Sequence, residues 1–164
     1  MSASPGIRTG AVIGTVGGAL RAAGSFAPRL IASDDARTWL YVGIDICLAF
    51  GLLSLYLVRR QGMRVAGILG SFLALGGLIA GRIGPVMTDL ALYPVTAAAV
   101  VIGVLMLAFS EWRIRRMAAW IPLTFALSLV VGSIGTFVAG ASTLFILSGI
   151  LFGSAFAAMA ITAF

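Results

Sequence analysis

The chain has 164 residues, 61% of them hydrophobic and only 10% charged, with a mean hydropathy of +1.14 and a net charge of +6. Soluble globular chains carry about 25% charged residues, so this composition excludes an ordinary soluble domain and points to a bilayer, where each helical span needs roughly 20 apolar residues. All eleven basic residues are arginine; they punctuate the ends of apolar runs instead of forming one face, which argues against nucleic acid as a partner.

The first apolar stretch, residues 8–28, runs from Gly10 to Leu20 before Arg21 interrupts it and Pro28 and Arg29 follow. It reads in three ways. It is a span from a cytoplasmic Arg8 to an outer Pro28, an interfacial helix, or a cleaved signal peptide with Arg8 ahead of an apolar core. Five further segments have the length of spans, at 38–58, 63–81, 89–109, 117–138 and 142–164. Their links are short (RRQG, RIGPVMT, SEWRIRR and AGA), so neighbouring spans must alternate in direction. The expected fold is all-α, a polytopic membrane bundle of six helices forming a single domain, with the N-terminal helix open between its three readings.

Arginine sets the orientation. Arg59, Arg60 and Arg64 surround the first link and Arg113, Arg115 and Arg116 crowd the third, whereas the second holds only Arg82, offset by Asp89, and the fourth holds no charge. The positive-inside rule places the first and third links in the cytoplasm. Residue 38 is then outside and Phe164 cytoplasmic, in the pattern of a bacterial inner-membrane protein. Trp39, Tyr41 and Tyr93 fall near the outer interface, and Tyr56, Trp112 and Trp120 near the inner one.

Many chemistries lack their residues. There is no lysine for a retinal Schiff base and no histidine for a haem, a bacteriochlorophyll or a catalytic triad. One cysteine, Cys47, cannot build a zinc or copper site and reads as a small packing residue. Paired-aspartate proteolysis needs two carboxylates within spans, and only Asp45 lies deep in one. GTVGGAL (residues 14–20) has glycines but neither a preceding strand nor a terminal Lys-Ser/Thr. The sequence therefore predicts no enzyme, no cofactor and no metal.

Small residues recur at four-residue spacing in four rows: Gly43/Cys47/Gly51, Ala66/Gly70/Ala74, Ser128/Gly132/Thr136 and Gly149/Gly153/Ala157. Such rows let helix backbones approach closely. Most are expected to pack within the bundle. The last is the candidate docking face for another chain, because the final helix has a sequence neighbour on one side only.

Asp45 is the exceptional residue. It lies seven residues inside Thr38, about 10 Å down the helix. An aspartate at mid-span costs roughly 2.5–3.5 kcal/mol on insertion scales, so it should have a partner or a job. Helical side chains lean toward their own N-terminus. On antiparallel neighbours this brings Asp45 and Arg82 toward one depth, and Arg21 could add a third charge if residues 8–28 span. The pair would fix helix register, or line a site for a substrate, ion or proton.

The stretch from Tyr41 to Pro85 resembles a family of small bacterial multi-spanning membrane proteins of unknown function. The likeness rests on YVG (Tyr41–Gly43), the arginine pair Arg59–Arg60, and GGLIAGRIG (Gly76–Gly84). It implies a span ahead of the tyrosine, at residues 8–28, and brings no activity with it. This chain departs by carrying two further helices after residue 116 and by placing Asp45 where the family is usually neutral. The functional expectation is a non-catalytic integral membrane protein that packs against other membrane subunits or itself. The alternative is a small transporter or channel for a hydrophobic or weakly charged molecule, with Asp45 and Arg82 near its path.

Overall fold

The structure, a computed structural model, describes residues 5–87, 93–137 and 142–162. Asp89, the AGA link and Phe164 lie outside the described residues. Within them the chain is helical: α1 (Pro5–Gly24), α2 (Ala27–Leu30), α3 (Asp34–Arg59), α4 (Val65–Met87), α5 (Tyr93–Arg113), α6 (Trp120–Phe137) and α7 (Ser142–Ile161). Four segments are long and apolar enough to cross a membrane: Asp34–Arg59, Val65–Arg82, Val95–Arg113 and Thr143–Ile161. The apolar part of α6, Trp120–Gly135, is shorter. The glycines and arginines of α1 dilute its apolar character.

Helix ends differ from the apolar runs because hydropathy and backbone hydrogen bonding stop at different places. The N-terminal helix breaks at Ser25–Phe26 because Pro28 has no N–H to offer the Gly24 carbonyl and its ring would clash there, whereas in the first turn of α2 the same proline is tolerated. α3 starts four residues before Thr38. The Ser33 side chain accepts from the Ala36 N–H (3.3 Å), and Asp34 and Asp35 occupy the first turn, where negative charge suits the helix dipole. α4 carries on past Gly81 to Met87, and α5 extends through Ser110 and Glu111 to Arg113.

The six long helices form a ring in chain order, with α7 closing back onto α1. Ring neighbours run antiparallel, as the residues that touch show. Gly14 meets Gly51 of α3 and Gly18 meets Ala157 of α7, while Gly70 of α4 meets Gly103 of α5. These contacts are backbone to backbone. A methyl group on Gly103 would lie 2.5 Å from the Ala74 nitrogen, and one on Gly153 would lie 2.5 Å from the Ala22 nitrogen. Glycine is there because nothing larger fits.

The seams are unequal. α1 packs closely on α3 and α7, α6 on α7, and α4 on α5, but α3 meets α4 and α5 meets α6 over far fewer residues. The α4–α5 hairpin is thus a tight unit set against a four-helix body. The ring's interior is filled by Leu48, Leu52, Leu55, Val104, Leu107, Phe125, Phe156 and Met159, none more than 1% exposed. Outward-facing positions are apolar too, including Val65, Leu69, Phe72, Leu123 and Leu127.

Candidate functional site

Two ion pairs tie the α4–α5 hairpin to α3, and they sit 14 residues apart along that helix, about 21 Å at 1.5 Å per residue.

The first joins Asp45 to Arg82 of α4. Arg82 Nε donates to Asp45 Oδ2 at 2.7 Å and its Nη2 lies 2.6 Å from the same oxygen, so one carboxylate oxygen is held from two directions. The pair is half-buried, with 36% of the Arg82 side chain and 25% of the Asp45 side chain exposed. Two glycines on the same helices, Gly43 and Gly76, are exposed and have open space where a side chain would be. Arg21 does not join. Its guanidinium lies 5.7 Å from the centre of the Tyr41 ring, and the Tyr41 hydroxyl donates to the Gly24 carbonyl at 2.9 Å. The reason is helical phase: Cys47 faces α1 through Gly17, and Asp45, two residues earlier, points about 200° away. The three-charge cluster is therefore a pair.

The second pair joins Arg59, at the end of α3, to Glu111 in the last turn of α5. Arg59 Nη1 donates to Glu111 Oε2 at 3.2 Å, and Nη2 donates to the Thr162 carbonyl, so one guanidinium gathers the ends of α3, α5 and α7. Glu111 is fully buried and Arg59 is 13% exposed. Neither Glu111 Oε1 nor the buried Ser110 hydroxyl has a described hydrogen-bond partner. Sequence reasoning missed this pair because it placed Glu111 in the link SEWRIRR. The signal was there: Val104, Leu107 and Glu111 fall at spacings of three and four, and all three are fully buried on one face.

Just beyond Glu111 the chain turns sharply. Arg116 N–H donates to the Glu111 carbonyl at 3.0 Å and Arg115 N–H to the Trp112 carbonyl at 2.9 Å, with Arg115 at φ 57°. This is a Schellman cap with arginine at the left-handed position that normally belongs to glycine, a conformation that costs a side-chain-bearing residue about 1 kcal/mol or more. The α3–α4 turn lies alongside. Its Gly62 has φ 116°, and a methyl group there would lie 3.0 Å from Arg116 Nη2.

The small-residue rows act mainly inside the chain. Gly149, Gly153 and Ala157, the candidate face for another chain, meet Ser25 just past α1 and Ala22 and Gly18 within it. The face is occupied because α1 returns beside α7, giving the final helix a second neighbour. In the first row Gly51 and Cys47 meet α1 but Gly43 is open; in the second Gly70 and Ala74 meet Gly103 but Ala66 is exposed. Ser128 and Ser148 exchange hydrogen bonds between α6 and α7, each hydroxyl donating to the other's carbonyl at 2.9 Å. Thr136 has no described side chain. Beside the α1–α7 seam runs an apolar groove of about 640 Å³ lined by Ala19, Ala23, Phe26, Ile150 and Ser154 among others, with no titratable group on its walls. Among the described residues no three of histidine, cysteine, aspartate and glutamate come together as metal ligands would.

Compared with protein-family models, with curated proteins and with solved structures, the chain matches none.

Proposed function

We propose that the chain is a non-catalytic, six-span integral membrane protein of a bacterial inner membrane, an accessory or assembly subunit that packs against other membrane chains or itself. The observation that carries this reading is the filled ring. Apolar side chains occupy its interior, and among the described residues both deep carboxylates are engaged by arginines. In this reading α1 is the sixth span, supported by its packing along the lengths of both α3 and α7. The end carrying Arg59, Arg60, Arg64 and Arg113–Arg116 is cytoplasmic. Kinship with the small bacterial family is part of the same proposal, and α1 occupies the place of that family's span ahead of the tyrosine.

Purification in mild detergent tests the role. Stoichiometric companion chains, or a defined self-assembly, support it; a lone monomer that moves solute in proteoliposomes overturns it. Reporter fusions at Phe164 and at the N-terminus test the topology, with both expected on the cytoplasmic side. Replacing Arg113, Arg115 and Arg116 with glutamine should give mixed orientation of the α5 and α6 spans, read by cysteine-accessibility labelling.

One observation favours a transporter as the second reading. The Asp45–Arg82 pair is partly exposed, lies on one of the two looser seams, and leaves Asp45 Oδ1 without a described partner. Flux in proteoliposomes that Asp45→Asn abolishes while the fold stays intact would favour it.

A further inference from the structure

The antiparallel ring brings Arg8 of α1 to the same end as both arginine-rich turns, since Gly10 packs on Ser54 near the end of α3. That end then holds seven arginines and one glutamate, which is the whole net charge of +6; the other four arginines are matched by four aspartates. Three of the seven have internal employment. Arg59 holds Glu111, Arg116 lies over Gly62, and the Arg113 guanidinium sits 5.6 Å from the centre of the Phe109 ring. Arg60, Arg64 and Arg115 are exposed and have no described side-chain partner.

The turns that carry these three meet where Arg116 crosses to Gly62. Arg115 adds a second, independent sign. A glycine would suit its left-handed backbone better, so the cap gains nothing from an arginine there. What the residue supplies is a guanidinium, planar and fork-shaped, with the geometry that grips a phosphate through two parallel hydrogen bonds. Three and six residues before Arg115, on α5, lies an exposed aromatic pair, Trp112 and Phe109, with ring centres 5.2 Å apart. Exposed arginines without described acidic partners, at the same end as exposed aromatic rings, make an amphipathic surface. It suits a ligand with a phosphate at one end and hydrocarbon at the other better than a free anion.

We propose that Arg60, Arg64 and Arg115, with the exposed Phe109 and Trp112 at the same end of the ring, form a binding site for the phosphate headgroup of an anionic phospholipid. The inference rests on the membrane reading above. Binding measured in detergent does not depend on which way the chain is threaded, so it fails separately from the topology tested by reporter fusions.

The experiment titrates the full chain in neutral detergent with phosphatidylglycerol, phosphatidylcholine and inorganic phosphate, reading bound lipid by native mass spectrometry and melting temperature in parallel. Phosphatidylglycerol is expected to bind more tightly than phosphatidylcholine and to raise the melting temperature further, with inorganic phosphate producing no such rise. An arginine near an anionic surface contributes about fivefold in affinity. Arg115→Gly should therefore lose about fivefold for phosphatidylglycerol while melting higher without lipid, a combination that a purely structural role for Arg115 does not give. Arg60→Gln with Arg64→Gln should lose roughly 25-fold on the same scale. Equal binding of the two lipids overturns the proposal, as does full phosphatidylglycerol affinity in both variants. Inorganic phosphate that reproduces the stabilisation makes this a free-anion site, which also overturns it.

Discussion

The two ion pairs hold the same hairpin to the same helix in opposite surroundings. Arg59–Glu111 is enclosed at the basic end, tied also to the end of α7, while Asp45–Arg82 lies half-exposed on the looser α3–α4 seam. The difference separates two meanings of a charge in an apolar segment. An enclosed carboxylate has no alternative to its arginine, so the pair fixes where three helix ends meet. A half-exposed one can exchange its partner for water or a headgroup at modest cost, so its helix seam can loosen.

Breaking the enclosed pair should have the largest effect. Arg59→Ala or Glu111→Ala strands a buried charge and should cost on the order of 3–5 kcal/mol, whereas replacing both by leucine should be near neutral or stabilising. Thermal unfolding in detergent reads all three variants, and single variants that melt like the parent would show that this end is wet. The hairpin's own seam comes next. Gly103→Val drives a side chain into the Ala74 backbone and should cost about 1–3 kcal/mol or more. It should loosen α4 from α5, seen as faster cysteine labelling at Ala74.

The half-exposed pair is expected to be milder. Asp45→Asn or Arg82→Gln should cost about 1–2 kcal/mol, between the limits for surface and buried pairs. The double variant should recover most of it, and strictly additive losses would show that the two charges do not interact. Losses as large as those at Glu111 would erase the contrast. The smallest effect has the opposite sign: Gly43→Ala and Gly76→Ala meet no atoms and should raise stability by up to about 1 kcal/mol through helix propensity. A loss at either position would show that these faces of α3 and α4 are covered and not open.

Much of this arrangement is legible in the residues, for identifiable reasons. Apolar run lengths give the helices, and the lean of side chains along antiparallel helices puts Asp45 and Arg82 at one depth. What the residues do not display is phase between helices that are distant in sequence. Nothing local says that α1 closes against α7, so the Gly149/Gly153/Ala157 face looks free until Gly18 and Ala22 are placed on it. Arg21 likewise reads as a partner for Asp45 until Cys47 is seen to take the side of α3 that faces α1. Glu111 was hidden by counting hydropathy, which ends the run at Phe109 although the helix and its buried face continue for another turn.

The closure of α7 onto α1 also has a consequence in time. As the chain emerges from the ribosome, each helix can settle against the one before it, but the second face of α1 must wait. Gly18 and Ala22 stay without their neighbours until Gly153 has been made, after every other helix of the ring. During that interval the first helix presents a bare backbone ridge to whatever lies beside it. The step most exposed to a chaperone, or to a mistaken partner, is therefore the waiting of the first helix for the last.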